Sequence, residues 1–290
     1  MNLPLALAIF ISLALFITFK NHIEAYYHYV KGVNAFKDND FDLSITEFTR
    51  TLSIQPKFTY TYYQRGLAQY YLENYLTAIN NFNNAIKYYP DDKLSYLSRA
   101  NCFARLFKYK EAMNDFDLAL NIDPKFALSY YNRGLASLEQ GHYEQAVVDF
   151  SQSIELDPKF IQSYYNRALA YSDLGSYDEA IYDFDFISNK DPKYVDTYIN
   201  RGLVYCEIGE SLNAYKDFDH AVKIAPMRSD TYFLRGSIHY QVEDYYRAVL
   251  DFNDAIKLNP DYLEAYLYRG YCFYAYEDFE NASEDWKIAV

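Results

Sequence analysis

An arginine recurs in this sequence every thirty-four residues, and an aspartate follows most of these arginines sixteen residues later. The arginines are Arg65, Arg99, Arg133, Arg167, Arg201, Arg235 and Arg269, and the aspartates are Asp115, Asp149, Asp183, Asp217, Asp251 and Asp285. A guanidinium group binds a carboxylate or a phosphate through paired hydrogen bonds. The spacing therefore permits two kinds of chemistry: internal ion pairs, or a row of cations that holds an anionic ligand.

The sequence offers no comparable pattern for catalysis. It lacks the glycine motifs that bind nucleotides and the motifs of zinc proteases and serine hydrolases. The five histidines are scattered, and the three cysteines are widely spaced. We therefore expect no enzyme activity, no cofactor, no metal site and no small-molecule substrate. A net charge of −13 argues against a nucleic-acid partner, which requires clustered lysine and arginine.

The prolines, glycines and alanines obey the same period as the arginines. From Pro56 to Pro260, seven prolines are spaced by thirty-four residues. Such a period is typical of a protein built from stacked copies of one small unit. If each proline is position 32, the domain of residues 25–290 contains eight repeats, which are residues 25–58, 59–92, 93–126, 127–160, 161–194, 195–228, 229–262 and 263–290.

Each repeat is predicted to form two antiparallel helices. Apolar residues spaced three and four apart indicate an amphipathic helix A at positions 2–14 and a helix B at positions 18–31. Glycine or a polar residue at position 15 opens the turn, and proline at position 32 ends helix B. Small residues at positions 8 and 20 allow close approach. A single pair cannot bury both faces, so neighbouring repeats must stack.

These positions, with aromatic residues at 4, 17 and 24, resemble the tetratricopeptide repeat (TPR) family over residues 25–290. The resemblance implies an all-α fold, a right-handed superhelical solenoid of antiparallel helix pairs whose concave groove is lined by helix A. One N-terminal hydrophobic helix precedes it. Repeat 5 departs from the family at Ile187, Ser188 and Lys190, so we expect looser or shifted packing there.

Positions 7 and 23 lie close together in an antiparallel pair whose positions 8 and 20 meet. We therefore interpret the arginines as members of structural ion pairs, with a ligand-binding row as the alternative. The pairs are Arg99 with Asp115, Arg133 with Asp149, Arg167 with Asp183, Arg201 with Asp217, Arg235 with Asp251, and Arg269 with Asp285.

The resemblance also places helix A positions 2, 5, 6, 9, 12 and 13 in the groove. The peptide-binding candidates are Tyr29, Tyr63, Tyr70, Tyr131, Asn132, Leu135, Tyr165, Asn166, Leu169, Asn200 and Leu203, and the acidic rim is Glu139, Asp173, Asp196, Glu207, Asp230 and Glu264. An asparagine amide both donates and accepts hydrogen bonds, so three in successive repeats suit the backbone of an extended peptide. The alternatives are solvated or helix-bound asparagines and tyrosines that serve packing. The partner expected from this set is a protein or extended peptide, neutral to basic.

The first twenty residues differ from the rest. Residues 3–19 carry no charge, and a helix of that length spans roughly 25 Å, the short end for a bilayer core. We predict a single-pass membrane anchor in residues 1–20 and a short linker at 21–24. A cleaved secretory signal is the alternative. Lysines after the run favour a cytoplasmic repeat domain, with a periplasmic or secreted one as the alternative.

Two functions fit these predictions. The first is a membrane-tethered scaffold or adaptor that binds a protein or peptide in its groove and supports complex assembly. The second is a structural or oligomerising subunit of a membrane complex, which contacts partners through the ends of the solenoid. Trp286, Ile288 and Val290 motivate the second, because they suit self-association through the C-terminal repeat.

Overall fold

The structure is a computed structural model that describes the backbone of residues 3–289 and the side chains of residue 16 and residues 18–289. Along residues 3–289 it contains sixteen α-helices and no strand. They are α1 (Leu3–Lys37), α2 (Phe41–Ile54), α3 (Thr59–Tyr71), α4 (Tyr75–Tyr88), α5 (Lys93–Arg105), α6 (Tyr109–Ile122), α7 (Ala127–Glu139), α8 (Tyr143–Leu156), α9 (Ile161–Asp173), α10 (Tyr177–Lys190), α11 (Val195–Glu207), α12 (Ser211–Ile224), α13 (Ser229–Gln241), α14 (Tyr245–Leu258), α15 (Leu263–Ala275) and α16 (Phe279–Ala289).

The helices follow the predicted repeat frame with a shift of one residue. From α3 to α15, helix A occupies positions 1–13 and helix B occupies positions 17–30 of each complete repeat, as in α3 and α4. Helix A begins earlier than predicted because position 34 serves as its N-cap. The amide of Thr61 donates to the carbonyl of Phe58 at 3.0 Å, and Ser129 and Phe126 repeat this contact at 3.0 Å.

Position 15 turns the chain from helix A into helix B through a left-handed backbone. Gly175 has φ of 73° there, and Glu73 has φ of 60°. Glycine adopts this conformation without steric cost, whereas a residue with a Cβ does not. The predicted turn position is therefore used by glycine and non-glycine repeats alike.

The chain divides into two compact units. The first unit comprises Met1–His142 with Glu155–Asp157, and the second comprises Tyr143–Ile154 with Pro158–Val290. In each unit, successive helices pack antiparallel in pairs, and each pair packs on the next. This is the all-α arrangement of helix pairs that the repeat pattern predicts. The superhelical turn of the whole array stays a prediction.

The core of each unit lies where helix A meets helix B. The phenylalanine at position 24 is fully buried, as Phe82 in the first unit and Phe218 in the second. A Cβ added to Gly66 would lie 2.6 Å from Phe82 Cε1, and one added to Gly202 would lie 2.5 Å from Phe218 Cε1. A side chain at these glycines would force the ring to move, which explains the small residue at position 8.

Repeat 5 fills its core with a larger side chain. Ile187 is fully buried and packs with Tyr164, Phe184 and Val204. Phe186 stacks on Tyr164 with ring centroids 4.1 Å apart. The repeat that departs from the family pattern is thus packed through a different set of side chains.

The prediction of a membrane anchor needs correction. α1 is continuous through residues 21–24, the predicted linker, because no proline or glycine separates Pro4 from Gly32. The side chains of residues 1–15 and 17 lie outside the described part of the chain. Among the described residues, no helix combines the length and the apolar character that crossing a membrane requires.

The predicted single-pass membrane localisation is therefore wrong for the described chain. The physical reason lies in the described side chains of α1. From Lys20 onward they include charged and polar groups such as Asn21, His22 and Glu24, and from Ala25 the helix packs on α2 as helix A of the first repeat.

Candidate functional site

The arginine row forms paired contacts between the two helices of a repeat. Arg167 on α9 donates from Nε and Nη2 to the two carboxylate oxygens of Asp183 on α10, at 2.8 and 2.7 Å. The same paired geometry, at 2.6–3.0 Å, joins four other pairs, which are Arg99 with Asp115, Arg201 with Asp217, Arg235 with Asp251, and Arg269 with Asp285. Arg133 and Asp149 belong to different units, so their pairing stays a prediction.

The third nitrogen of each arginine reaches the preceding repeat. Arg167 Nη1 donates to Ser151 Oγ on α8 at 2.9 Å, and Arg235 Nη1 donates to Asp219 on α12 at 2.8 Å. The other contacts of this kind are Arg65 with Thr49, Arg99 with Asn83, Arg133 with Asp117, Arg201 with Asp185, and Arg269 with Asn253. Sequence reasoning missed this contact, although position 25 carries a short side chain with an oxygen in seven repeats.

A tyrosine ring lies close to each guanidinium. Arg167 Cζ lies 5.7 Å from the ring centre of Tyr164, and the tyrosine at position 4 repeats this contact in seven repeats at 5.3–5.8 Å. The side chains of Arg167 and Asp183 are 16% and 1% exposed. Burial is the largest influence on the Asp183 carboxyl and raises its pKa, although the hydrogen bonds from Arg167 oppose the rise. An arginine that is mostly buried and already has three partners is poorly placed to bind a ligand.

The tyrosines predicted for the groove of the first unit are packed against other rings. Tyr63 is 9% exposed and lies 5.9 Å from Phe82 between ring centroids, and burial raises the pKa of its hydroxyl. Tyr29 packs on Phe58 at 4.9 Å, and Tyr70 packs on Tyr75 at 5.4 Å. These three rings therefore serve packing, and their place in a peptide groove stays a prediction.

The asparagines are divided between the units. Asn132 lies on α7 in the first unit, and Asn166 and Asn200 lie on α9 and α11 in the second. Asn200 Nδ2 donates to Tyr165 Oη at 2.9 Å and to the carbonyl of Asp196 at 2.8 Å. Asn166 Nδ2 donates to the carbonyl of Gln162 at 2.9 Å. Both amides are thus oriented by their own helices.

The apolar candidates lie on the same helices as these asparagines. Leu169 packs against the buried cluster of the second unit, and Leu203 on α11 is 41% exposed. Tyr165 packs on Tyr194 with centroids 5.3 Å apart, and burial raises the pKa of its hydroxyl to about 12. Tyr131 and Leu135 are half-buried on α7 in the first unit.

The acidic rim has two different parts. Four of its carboxylates are exposed at helix ends, namely Glu139, Asp173, Glu207 and Glu264. The other two, Asp196 and Asp230, share Arg228, whose Nη1 and Nη2 lie 2.6 and 2.5 Å from them. Sequence reasoning missed Arg228, which replaces the aromatic residue found at position 34 in most other repeats. Within residues 18–289, no group of three or more histidine, cysteine, aspartate or glutamate side chains could hold a metal ion.

Family models identify the repeat. A TPR repeat model matches residues 108–141 and 136–175, and two further tetratricopeptide repeat models match residues 233–286 and 60–92. No protein with a curated description matches the sequence.

Solved structures share the fold at low identity. A tetratricopeptide repeat protein from Parabacteroides merdae is 20% identical with a TM-score of 0.63, over 92% of this chain and 98% of that one. The C-terminal part of a TPR protein from Cytophaga hutchinsonii is 15% identical with a TM-score of 0.68, over 82% and 97%. YrrB, described as a TPR protein with an unusual peptide-binding site, is 20% identical with a TM-score of 0.54, over 63% and 95%.

The helices are paired, and a buried ring at position 24 packs against a small residue at position 8. These features define a class of stacked-repeat protein that is typically a non-enzymatic interaction scaffold. The matched models and the shared fold identify the repeat itself: this chain carries tetratricopeptide repeats.

Proposed function

We propose that this chain is a scaffold that binds an extended peptide segment of a partner protein on its helix A face. In the second unit that face includes α9 and α11, which pack against each other. The partner segment is neutral to basic. YrrB, which shares the fold, is described as having a peptide-binding site.

The hydrogen bonds made by the side-chain amide of Asn200 are the observation that supports the proposal. Both of its N–H groups are engaged within the described residues, by Tyr165 and by the backbone of Asp196. Its carbonyl oxygen is left to accept a hydrogen bond, and the internal bonds hold it in one orientation. A backbone N–H of an extended peptide is a suitable donor, because such contacts require no particular peptide sequence.

The surroundings of Asn200 favour an apolar and basic peptide. Leu203, half exposed on α11, offers an apolar contact one turn away. Asp173 and Glu207 are exposed in the last turns of α9 and α11. Their negative charge is unfavourable there because the C-terminal end of the helix dipole is also negative. A lysine or arginine of the ligand would neutralise these carboxylates.

The test uses a fluorescein-labelled peptide of alternating leucine and lysine, with a leucine–glutamate peptide for comparison. Asn200→Ala should weaken binding of the lysine peptide by about twofold to tenfold, the value of one hydrogen bond. Lys216→Ala, on the exposed face of α12, is the matched control. Equal binding by both variants, or equal binding of both peptides, would contradict the proposal.

A second candidate function is self-association through the last repeat. Tyr274, Phe279 and Ile288 on α15 and α16 are exposed, and exposed apolar clusters of this kind commonly mark protein contacts. Light scattering should then show a mass that rises with concentration, and Phe279→Ser with Ile288→Ser should abolish the rise. A constant monomer mass at every concentration would exclude this candidate.

A further inference from the structure

The turn between α5 and α6 carries an unusual charge. Residues 105–110 contain Arg105, Lys108 and Lys110 and no carboxylate. The equivalent six residues of every other repeat contain at least one aspartate or glutamate and carry a net negative charge. The turn itself is therefore cationic on a chain whose net charge is −13. Three carboxylates border it, which are Glu73, Glu111 and Glu139.

Exposed apolar side chains lie at this turn and at the start of α4. Phe107 is 79% exposed, and Leu76 on α4 is 68% exposed. Arg105 links the two turns, because its Nε donates to Tyr75 Oη at 3.3 Å. We call Leu76, Arg105, Phe107, Lys108 and Lys110 the repeat-3 turn surface. All five lie in the first unit.

The stability of the fold does not explain why these residue types occur at this turn. Phe107 occupies the left-handed turn position with φ of 58°, where Gly175 and Gly209 stand in other repeats. Lys108 is the N-cap of α6 and makes no capping hydrogen bond, whereas Asp40 and Asp244 cap α2 and α14. Phe107 at the left-handed position and Lys108 at the N-cap each lower local stability. Because both side chains are exposed, packing offsets little of that loss.

We propose that the repeat-3 turn surface docks an acidic segment of a partner protein that also carries an apolar side chain. Its carboxylates pair with Arg105, Lys108 and Lys110, and its apolar side chain packs on Phe107 and Leu76. Charge complementarity selects this partner, since the surface is cationic within an acidic chain. An exposed aromatic ring beside an arginine is the composition that interface centres favour.

This site goes beyond the helix A peptide site. The helix A face of the second unit is lined by Asn200 and exposed carboxylates and suits a neutral to basic segment. The repeat-3 turn surface takes the opposite charge and lies in the first unit. One scaffold would then hold two partners of different chemistry.

The experiment measures binding of a fluorescein-labelled peptide rich in glutamate, aspartate, phenylalanine and leucine to the full chain by anisotropy. Lys108→Glu with Lys110→Glu should weaken binding by about tenfold or more, because two attractions become repulsions. Lys57→Glu with Lys125→Glu is the matched control, since both lysines are exposed in the same unit and the net charge changes equally. The control should bind within about twofold of the native chain.

Two more variants separate the contributions. Phe107→Gly should weaken binding while raising the melting temperature, a combination that damage to the fold would not produce. Asn200→Ala should leave binding of the acidic peptide unchanged, so failure here and failure of the helix A proposal are distinguishable. Binding should fall as sodium chloride is raised, because salt screens exposed charges.

Several outcomes would overturn the proposal. One is equal binding by the two double variants, and another is equal binding of a peptide in which lysine replaces every acidic residue. Charge-dependent binding to phosphatidylserine vesicles without binding to the acidic peptide would identify a lipid surface instead. A dimer abolished by Lys108→Glu with Lys110→Glu would identify a second copy of this chain as the occupant.

Discussion

At the scale of single residues, the arginine at position 7 has three separate contacts. Arg167 binds Asp183 within its own repeat, Ser151 in the preceding repeat and the ring of Tyr164. A carboxylate as buried as that of Asp183 is costly without a partner, because water no longer solvates its charge. Each arginine and its buried aspartate therefore stabilise the scaffold only when both are present.

A double-mutant cycle on Arg167 and Asp183 measures that dependence. Arg167→Leu alone should lower the free energy of unfolding by about 3–5 kcal/mol, because it leaves a buried carboxylate unpaired. Combining it with Asp183→Asn should destabilise the chain less than Arg167→Leu alone. Arg247→Leu on the exposed face of α14 is the control, with an effect within about 0.5 kcal/mol. Purely additive losses in urea denaturation would exclude the coupling.

A buried histidine predicts how stability depends on pH. His239 is buried beside the ring of Tyr215, with centroids 5.2 Å apart. Burial is the largest influence and lowers its pKa below 6.5, although Asp251 and Asp244 oppose the change and Arg235 and Arg247 add to it.

Below about pH 6.5 the unfolded chain therefore binds a proton that the folded chain excludes. Stability should fall as pH falls through this range, and His239→Gln should lose less stability than the native chain. The measurement is the urea midpoint at about pH 7.5 and pH 5.5, with the exposed His142→Gln as control. Equal losses in the native chain and His239→Gln would show that another group governs the dependence.

At the scale of elements, the turn at position 15 controls the passage from helix A to helix B. The same left-handed backbone occurs at Gly175 and Gly209 and at Asn39, Glu73, Phe107, Glu243 and Glu277. Helix packing therefore imposes the conformation whatever the residue. A side chain at this position destabilises the turn because a left-handed backbone is strained for a residue with a Cβ. The effect is confined to the turn.

Two opposite substitutions test this. A Cβ at Gly175 would meet nothing within 4 Å, so Gly175→Ala isolates the backbone cost and should lower stability by about 1 kcal/mol. Glu73→Gly should raise stability by up to about 1 kcal/mol, because φ at Glu73 is 60°. Urea denaturation of both variants checks the signs. A shift in the same direction for both would contradict the explanation.

At the scale of the whole molecule, contacts between neighbouring repeats hold each unit together. Apart from Arg133, whose pairing with Asp149 stays a prediction, each arginine joins helix B of one repeat to both helices of the next, as Arg235 joins Asp219 on α12 to Asp251 on α14. In stacked repeats such interface contacts make unfolding cooperative, since single repeats are unstable alone.

Arg235→Leu should uncouple the last repeats from the rest of the second unit. Trp286 is the single tryptophan and lies on α16, so its fluorescence reports the last repeat, whereas circular dichroism reports all helices. In the variant the fluorescence transition should move to lower urea than the dichroism transition. Lys257→Ala, exposed on α14, should leave the separation of the two transitions unchanged. Equal shifts of both signals in Arg235→Leu would refute the uncoupling.

Much of the fold follows from the sequence because periodic positions meet in the same way in every repeat. The small residue at position 8, the ring at position 24 and the sixteen-residue spacing of arginine and aspartate all depend on the geometry of one helix pair. That geometry is local, and it follows from helical periodicity and close packing. The same reasoning failed at the N-terminus, where hydropathy alone predicted a membrane-spanning helix.

The sequence by itself therefore determined the repeat, the helix positions to within one residue, and most of the residues that each helix pair brings together. Only the tertiary structure decided the contacts between repeats. In the structure both N–H donors of Asn200 are engaged, and Tyr63 is buried in the core. Asp196 and Asp230 both bind Arg228, and each arginine at position 7 contacts the preceding repeat. The physical reason is that these contacts depend on side-chain rotamers and on the distance between stacked helices, which no single repeat encodes.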